Sequence, residues 1–194
     1  GCEAAMLAAY DASIEVLAKE GAEIVDVPLP IAFADATVAT GRIIGSEAYR
    51  LTGVLVDDPS LPIDPAVRPR IQLGRDIRAH EYLAALAERD RMKADFLAAL
   101  DRAGIDALLT PTTQTAAIPN EAVDQNTTPA YFTRVFNLLE MCALALPSGF
   151  TVGGLPLSLQ IACRPYDEAM ALRIGWAYQQ ATDWHTRRPP GFGG

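Results

Sequence analysis

Two apolar segments of strand length, separated by a pair of glycines, constrain the fold of this chain more than any other feature. They cover residues 144–150 and 155–163, with Gly153-Gly154 between them. A short glycine turn between two such segments is typical of a β-hairpin, in which the strands are antiparallel. A helix is predicted after the hairpin, over 167–182. It carries apolar residues along one side, namely Ala169, Leu172 and Trp176.

The N-terminal segment has the pattern of a layered α/β protein. Residues 3–20 have the apolar spacing of an amphipathic helix, and Gly21 is expected to end it. Residues 22–29 predict a strand that is buried on both sides, and prolines end it. Its apolar positions alternate between both faces of an extended chain; they are Ile24, Val25 and Val27. A helix, a glycine and a buried strand in this order favour a sheet covered by helices.

The remaining pattern completes an α/β fold with a mixed central sheet flanked by helices. Other helices are expected over 31–53, 70–103 (with a break near Arg78) and 131–142, and a further strand over 105–110. The pair Gly41 and Gly45 predicts close helix packing. At about 150 residues per domain, residues 1–194 fit a single domain. The Pro- and Gly-rich tail 187–194 is expected to fray.

Composition and charge exclude several classes of partner. The net charge is −8, from 24 acidic and 16 basic residues, which argues against nucleic acid because phosphate binding needs a basic face. The longest apolar run, Ala4–Tyr10, is far shorter than the roughly 20 residues of a membrane span. Three widely spaced cysteines and no visible secretory signal predict reduced thiols and a cytoplasmic location.

No complete catalytic constellation is visible in the sequence. Ser148 lacks the flanking residues of a nucleophile elbow, and the two lysines, Lys19 and Lys93, lie in charged helical segments. His80 and His185 have no cysteine or acidic cluster at ligand spacing, so we predict no metal. No phosphate- or dinucleotide-binding pattern is present, so we predict no cofactor.

The position of a ligand can still be predicted. Ligands of α/β sheets bind beyond the carboxyl ends of strands. The strand that ends at Thr110 continues into a threonine-rich loop, in which Thr112 and Thr113 offer hydroxyls without charge, and a second strand is expected to end near Leu146. Such groups suit a small polar substrate, although ordinary threonine turns are the alternative.

Seven segments, in the same order along the chain, resemble the amidase signature family. They are 21–30, 106–112, 132–138, 146–150, 154–160, 167–169 and 177–185. The resemblance implies a larger α/β/α enzyme that hydrolyses small amides through a Ser–Ser–Lys triad and an acyl-enzyme. It also implies substrate-binding roles for Arg134 and Asn137, which lie in a matching segment, and for Arg70, whose alternative is a surface arginine at a helix start.

The triad of the family lies in its N-terminal half, and no matching Gly/Ser-rich stretch is present here. The chain therefore resembles the C-terminal half, and its expected partner is the missing N-terminal half of the same enzyme. By itself it is expected to be inactive, and its open sheet edge is expected to cause self-association into a homo-oligomer if that partner is absent.

Two alternatives to a general amidase stay open. One is the A subunit of a glutamyl-tRNA amidotransferase, and the other is a catalytically silent ligand-binding or subunit-docking module. Glutamine-specific members carry an aspartate near the start of the 131–142 helix, where this chain has Ala130. Without that carboxylate the amino group of glutamine lacks an anchor, which favours a general amidase.

Overall fold

The computed structural model describes residues 1–124, 129–189 and 191. Within them the chain forms helices and strands and three short 3₁₀ segments. The α-helices are α1 (Ala4–Lys19), α2 (Phe33–Asp57), α3 (Val67–Gln72), α4 (Ala79–Ala103), α5 (Tyr131–Leu138) and α6 (Glu168–Gln180). The strands are β1 (Ala107–Pro111), β2 (Cys142–Phe150) and β3 (Pro156–Cys163), and the 3₁₀ segments are Leu73–Asp76, Asn120–Ala122 and Trp184–Thr186.

The chain divides into two compact units. The sheet unit comprises Gly1–Pro28, Leu100–Val123 and Glu140–Gly194. The helical unit comprises Leu29–Ala99 and Asp124–Leu139. The mixed helix and sheet content agrees with the predicted α/β class, and the single domain over 1–194 stays a prediction.

The sheet unit contains the predicted hairpin. The strand order is β1-β3-β2, and β3 is antiparallel to both neighbours, so β1 and β2 run in the same direction. The hairpin turn includes Gly154, whose φ of 83° suits glycine because it lacks a Cβ. Helices α1 and α6 pack on one face of this sheet. The buried core there consists of Leu17, Leu146, Leu159, Ile161, Cys163, Ala171 and Tyr178.

Helix α6 buries a different side from the one that carries Leu172 and Trp176. Ala171, Gly175 and Tyr178 are buried, whereas Leu172 and Trp176 are 60% and 66% exposed. The physical reason is the closeness of the helix to the sheet. A Cβ on Gly175 would lie 2.7 Å from the side chain of Leu144, so the side of α6 that carries this glycine is the one that can approach the sheet closely.

The predicted buried strand over 22–29 is wrong for this chain. Residues 22–29 form no strand, and Ile24 and Val25 are 43% and 50% exposed. The sequence has the composition of a strand, but a strand also needs a neighbouring edge for its backbone groups. No ladder partner for this segment is found in the described part of the chain.

In the helical unit, one glycine of the Gly41/Gly45 pair is closely packed and the other is not. Gly45 of α2 is buried against Gly74 of the 3₁₀ segment, with 3.7 Å between its ideal Cβ position and the Gly74 backbone. Gly41 faces open space. The predicted helix over 70–103 is interrupted between Asp76 and Ala79, which confirms the break near Arg78.

Two predictions from the sequence concern the C-terminal tail and membrane-spanning helices. In the predicted frayed tail, residues 190 and 192–194 lie outside the described residues, while Arg187 pairs with Asp183 at 3.1 Å and stacks 4.6 Å above the Trp184 ring. Among the helices of the described ranges, none combines the length and the apolar character that crossing a bilayer requires.

Candidate functional site

A row of four uncharged polar residues crosses from the β1 side of the sheet to β3. Thr110 lies opposite Gln160 in the strand register, and the backbone N–H of Thr112 donates to the carbonyl of Ser158 at 3.1 Å. Side chains alternate between the two faces of a strand. Thr110, Thr112, Ser158 and Gln160 therefore share the sheet face opposite the one that carries Leu159 and Ile161 in the core. We call these four residues the polar row.

One buried hydroxyl of the polar row has no hydrogen-bond partner among the described residues. The Gln160 side chain is 3% exposed, and its amide donates to the Thr110 hydroxyl at 2.9 Å. The Thr112 hydroxyl oxygen is buried and, among the described residues, has no hydrogen-bond partner. Buried polar atoms without a partner are rare because losing hydration is costly. The Thr112 hydroxyl is therefore a buried atom of this row that is available to bind a ligand.

The strand that presents Thr110 and Thr112 is fixed from both sides. The guanidinium of Arg164 donates to the Ile105 carbonyl at 2.6 Å and pairs with Asp101 at 2.7 Å, which fixes the start of β1. The Tyr10 hydroxyl donates to the Leu109 carbonyl at 3.2 Å. Burial, followed by the carboxylates of Asp11 and Asp26, raises the pKa of Tyr10, so this phenol stays a proton donor.

Thr113, predicted together with Thr112, has a local partner. Its hydroxyl donates to the Thr115 carbonyl at 2.8 Å, which is the geometry of a threonine turn. For Thr113 this contact agrees with the alternative of an ordinary threonine turn that binds no ligand. Its role in substrate binding stays a prediction.

The other three predicted residues lie in the helical unit. Arg70 is exposed in the last turn of α3. Arg134 is partly buried and Asn137 is exposed on α5, three residues apart, so they are neighbours on the helix surface. An aromatic cluster fixes α5, because the Phe33 ring of α2 lies 6.0 Å from the ring of Phe136. Substrate binding by these three residues stays a prediction.

A different arginine of the same segment is turned inward. Arg68 donates to the carbonyls of Asp58 and Leu61, each at 2.8 Å, and also to that of Val56. It thereby closes the loop between α2 and α3. The sequence contains no signal that separates Arg68 from Arg70, since both lie in α3, two residues apart.

The predicted end of a strand near Leu146 is wrong, which changes the environment of Ser148. β2 continues to Phe150 through an irregularity in register between Pro147 and Gly149. An inserted residue lets a strand continue with a local bend. Ser148 is 5% exposed and lines a cleft of about 500 Å³ together with Tyr178 and Trp184.

In the described part of the sheet unit, the candidate nucleophiles show no sign of activation. The Tyr178 hydroxyl lies 3.0 Å from the Ser13 hydroxyl, and burial raises the pKa of Tyr178, so both groups are neutral near pH 7. Burial also raises the pKa of the Cys163 thiol to about 12, which leaves it unreactive. Lys19 is exposed in the last turn of α1. Within the described ranges, no group of three or more His, Cys, Asp or Glu residues could hold a metal ion.

Comparison with known proteins gives one consistent family. The Amidase family profile matches residues 1–172. The A subunit of glutamyl-tRNA(Gln) amidotransferase from Chloroflexus aggregans is 35% identical over 97% of this chain and 43% of its own length. The corresponding protein of Geobacter metallireducens is 32% identical over 93% of this chain and 42% of its own length.

Solved structures give the same result for the fold. The crystal structure of an amidase superimposes with a TM-score of 0.79 at 25% identity, covering 90% of this chain and 41% of that protein. A 6-aminohexanoate cyclic dimer hydrolase superimposes with a TM-score of 0.78 at 19% identity, covering 97% of this chain and 44% of that protein. The chain thus spans less than half the length of the relatives that it matches.

Proposed function

Because the chain belongs to the amidase family, we propose that it is part of an amide-bond hydrolase that works through an acyl-enzyme on a small amide. The observation that carries this proposal is the family match over residues 1–172. The likeness to a solved amidase with a TM-score of 0.79 supports it.

In this proposal the reactive groups belong to a part of the enzyme outside residues 1–194. The chain spans 43% of the length of a relative, and the Ser–Ser–Lys triad of the family has no counterpart in its sequence. A serine hydroxyl of the other part attacks the amide carbonyl and passes its proton to the serine and lysine pair. The amine leaves with a proton, and water then hydrolyses the ester to release the acid and the serine.

In this proposal the polar row is what this chain contributes to the substrate-binding site. The Thr112 hydroxyl can donate to the carbonyl oxygen of an amide or accept from its N–H, and it carries no charge that would have to be desolvated. Its buried oxygen without a partner supports this role. Thr113, Arg70, Arg134 and Asn137 remain proposed substrate-binding residues.

A second candidate function is that of the A subunit in a glutamyl-tRNA amidotransferase. The names of relatives that are 32–35% identical favour it. Against it stands Ala130, which occupies the N-cap of α5 where a carboxylate would be needed to bind the amino group of glutamine. The net charge of −8 also disfavours contact with tRNA.

The experiment co-expresses this chain with the part of the Chloroflexus aggregans relative outside the matched region. We expect the complex to hydrolyse simple aliphatic and aryl amides, and serine-directed inhibitors to stop the reaction. The chain alone should be inactive. Turnover by the pure chain that resists such inhibitors would contradict the proposal. If glutamine were the only amide hydrolysed, and only in the presence of glutamyl-tRNA, the result would favour the second candidate.

The Thr112→Val variant tests the polar row. Removing one hydrogen bond to the substrate should lower kcat/KM by roughly 5- to 100-fold. The matched control is Thr182→Val, whose hydroxyl donates to the Tyr178 carbonyl at 2.8 Å. An unchanged kcat/KM in Thr112→Val would show that this residue does not bind the substrate.

A further inference from the structure

The cleft that Ser148 lines, here called the Ser148 cleft, has no part in the proposed function. Its volume of about 500 Å³ is within the range of small-molecule sites. Its wall comes from α1, from α6 and the segment that follows it, and from Ser148 of β2. Helices α1 and α6 pack on one face of the sheet, whereas the polar row lies on the opposite face. A ligand in the Ser148 cleft would therefore be separated from the polar row by the sheet.

Ser148 is a buried residue whose hydroxyl has no partner. It is 5% exposed, and no hydrogen bond of its side chain is found among the residues that the structure describes. The register of β2 is irregular between Pro147 and Gly149, and an irregularity of this kind re-aims the side chain that it carries. Buried hydroxyls are nearly always hydrogen-bonded, because losing hydration is costly. In a cleft of ligand size, a bound molecule can supply the missing hydrogen bond.

The other hydroxyls at this wall have already committed their protons. A hydroxyl has one proton to donate. The Ser13 hydroxyl donates to the Ala9 carbonyl at 2.7 Å, so in its 3.0 Å contact with the Tyr178 hydroxyl the donor is Tyr178. The Thr182 hydroxyl donates to the Tyr178 carbonyl at 2.8 Å. Ser148 is therefore the hydroxyl that can donate to a ligand, and the ligand should carry a hydrogen-bond acceptor.

The rest of the wall favours an aromatic ligand without charge. Trp184 supplies an aromatic ring, which the Arg187 guanidinium covers at 4.6 Å, and α1 supplies Ala12 and Val16. The carboxylate of Asp183 in this wall is already paired with Arg187 at 3.1 Å. A charged ligand would lose its hydration without gaining a free partner of opposite charge. An aromatic ring gains contact area against the indole and carries no such cost.

We infer that the Ser148 cleft binds a small uncharged molecule that carries an aromatic ring and a carbonyl group. The carbonyl oxygen accepts from the Ser148 hydroxyl, and the ring lies against Trp184. The inference is independent of amide hydrolysis, since no residue of this cleft takes part in the proposed function.

The probe for the test is acetophenone, a ring with one carbonyl and no bond that an amidase hydrolyses. It is titrated into the ¹⁵N-labelled chain, and the NMR signals of the two indole N–H groups are followed. Trp184 lines the cleft, whereas Trp176 is 66% exposed on α6 and serves as the internal reference. The Trp184 signal should shift saturably with a Kd of about 1–10 mM, as expected for so small a ligand. No saturable shift of Trp184, or an equal one of Trp176, would overturn the inference.

The Ser148→Ala variant tests the hydrogen bond. Because the serine has no partner among the described residues, the Tm of the variant should stay within about 2 °C of the original chain. Its Kd for acetophenone should rise by about 2- to 12-fold. Toluene lacks the carbonyl, so the initial slope of its titration should be the same in both chains. An unchanged Kd for acetophenone, or an equal weakening for toluene, would overturn the inference.

A bulky side chain placed in the wall tests the position of the site. Ala12 is exposed on α1 and lines the cleft, so Ala12→Phe should occupy the space of the ligand and leave the core intact. The Kd for acetophenone should rise by about tenfold or more. The matched control is Ala18→Phe, which is exposed on α1 but outside the lining of the cleft, and it should bind normally. Equal binding of acetophenone by these two variants would overturn the inference.

Discussion

Gly74 makes the closest backbone approach found for a glycine in the described part of this chain, and its replacement by alanine should be strongly destabilising. It lies in the 3₁₀ segment Leu73–Asp76, where its φ is not in the left-handed region, so alanine can adopt the backbone conformation. The obstacle is space. A Cβ on Gly74 would lie 1.9 Å from the carbonyl oxygen of Gly45 and 2.7 Å from the Cβ of Tyr49.

The expected cost follows from this overlap. The atoms in the way belong to the backbone of α2 and to a Cβ, so no flexible side chain can move aside, and the 3₁₀ segment must shift by about 1 Å or more. Overpacking of this kind costs about 3 kcal/mol. Alanine gains about 1 kcal/mol over glycine because it restricts the unfolded chain. Gly74→Ala should therefore lower the free energy of unfolding by about 2 kcal/mol.

Gly41→Ala is the matched control. Gly41 is an exposed helical glycine with nothing within 4 Å of its ideal Cβ position, so alanine should raise the free energy of unfolding by about 0.5–1 kcal/mol. Thermal unfolding should show a Tm about 4–8 °C lower for Gly74→Ala and about 1–4 °C higher for Gly41→Ala. Equal stability of Gly74→Ala and the original chain would refute the packing argument.

Two further predictions concern the sheet unit. Burial raises the pKa of Cys163 from 9.0 to about 12, so the folded state holds the thiol proton more tightly than the unfolded state. The resulting stabilisation is complete below pH 9 and is lost as the pH rises toward 12. Between pH 8 and pH 10 the free energy of unfolding should therefore fall by about 1.4 kcal/mol more in the original chain than in Cys163→Ser. An identical slope in urea titrations of the two proteins would count against burial of this thiol. Trp176 is 66% exposed on α6, so Trp176→Gln should change the free energy of unfolding by less than about 0.5 kcal/mol. A loss above about 2 kcal/mol in the same urea titrations would mean that this side of α6 is packed in the chain.

Local patterns were sufficient where an element depends on its own residues. The hairpin followed from two apolar segments and a glycine turn, and the helix α1 followed from apolar spacing that ends before Gly21. The break near Arg78 was also visible in the sequence. These features depend on turn geometry and helical periodicity, which a few consecutive residues determine.

Features that depend on distant neighbours were not predictable from such patterns. Residues 22–29 have β-forming residues, but strand formation needs an edge elsewhere, and the described residues supply none. In the candidate site the sequence indicated Thr112 from the end of a strand. It did not indicate Gln160 or Ser158, because only the register of β1 against β3 brings them to the same face as Thr112. Their alternation with Leu157 and Leu159 was a signal for that shared face.

The sequence by itself determined the family, the helix and hairpin pattern and the lack of a complete triad within this chain, because motifs, periodicity and residue types are properties of consecutive residues. Only the tertiary structure decided which side of α6 is buried, that Arg68 closes a loop, and that the Thr112 hydroxyl is buried without a partner in the described residues. Burial and hydrogen bonding are relations between groups far apart in the chain, so they become defined only when the packed elements bring those groups together.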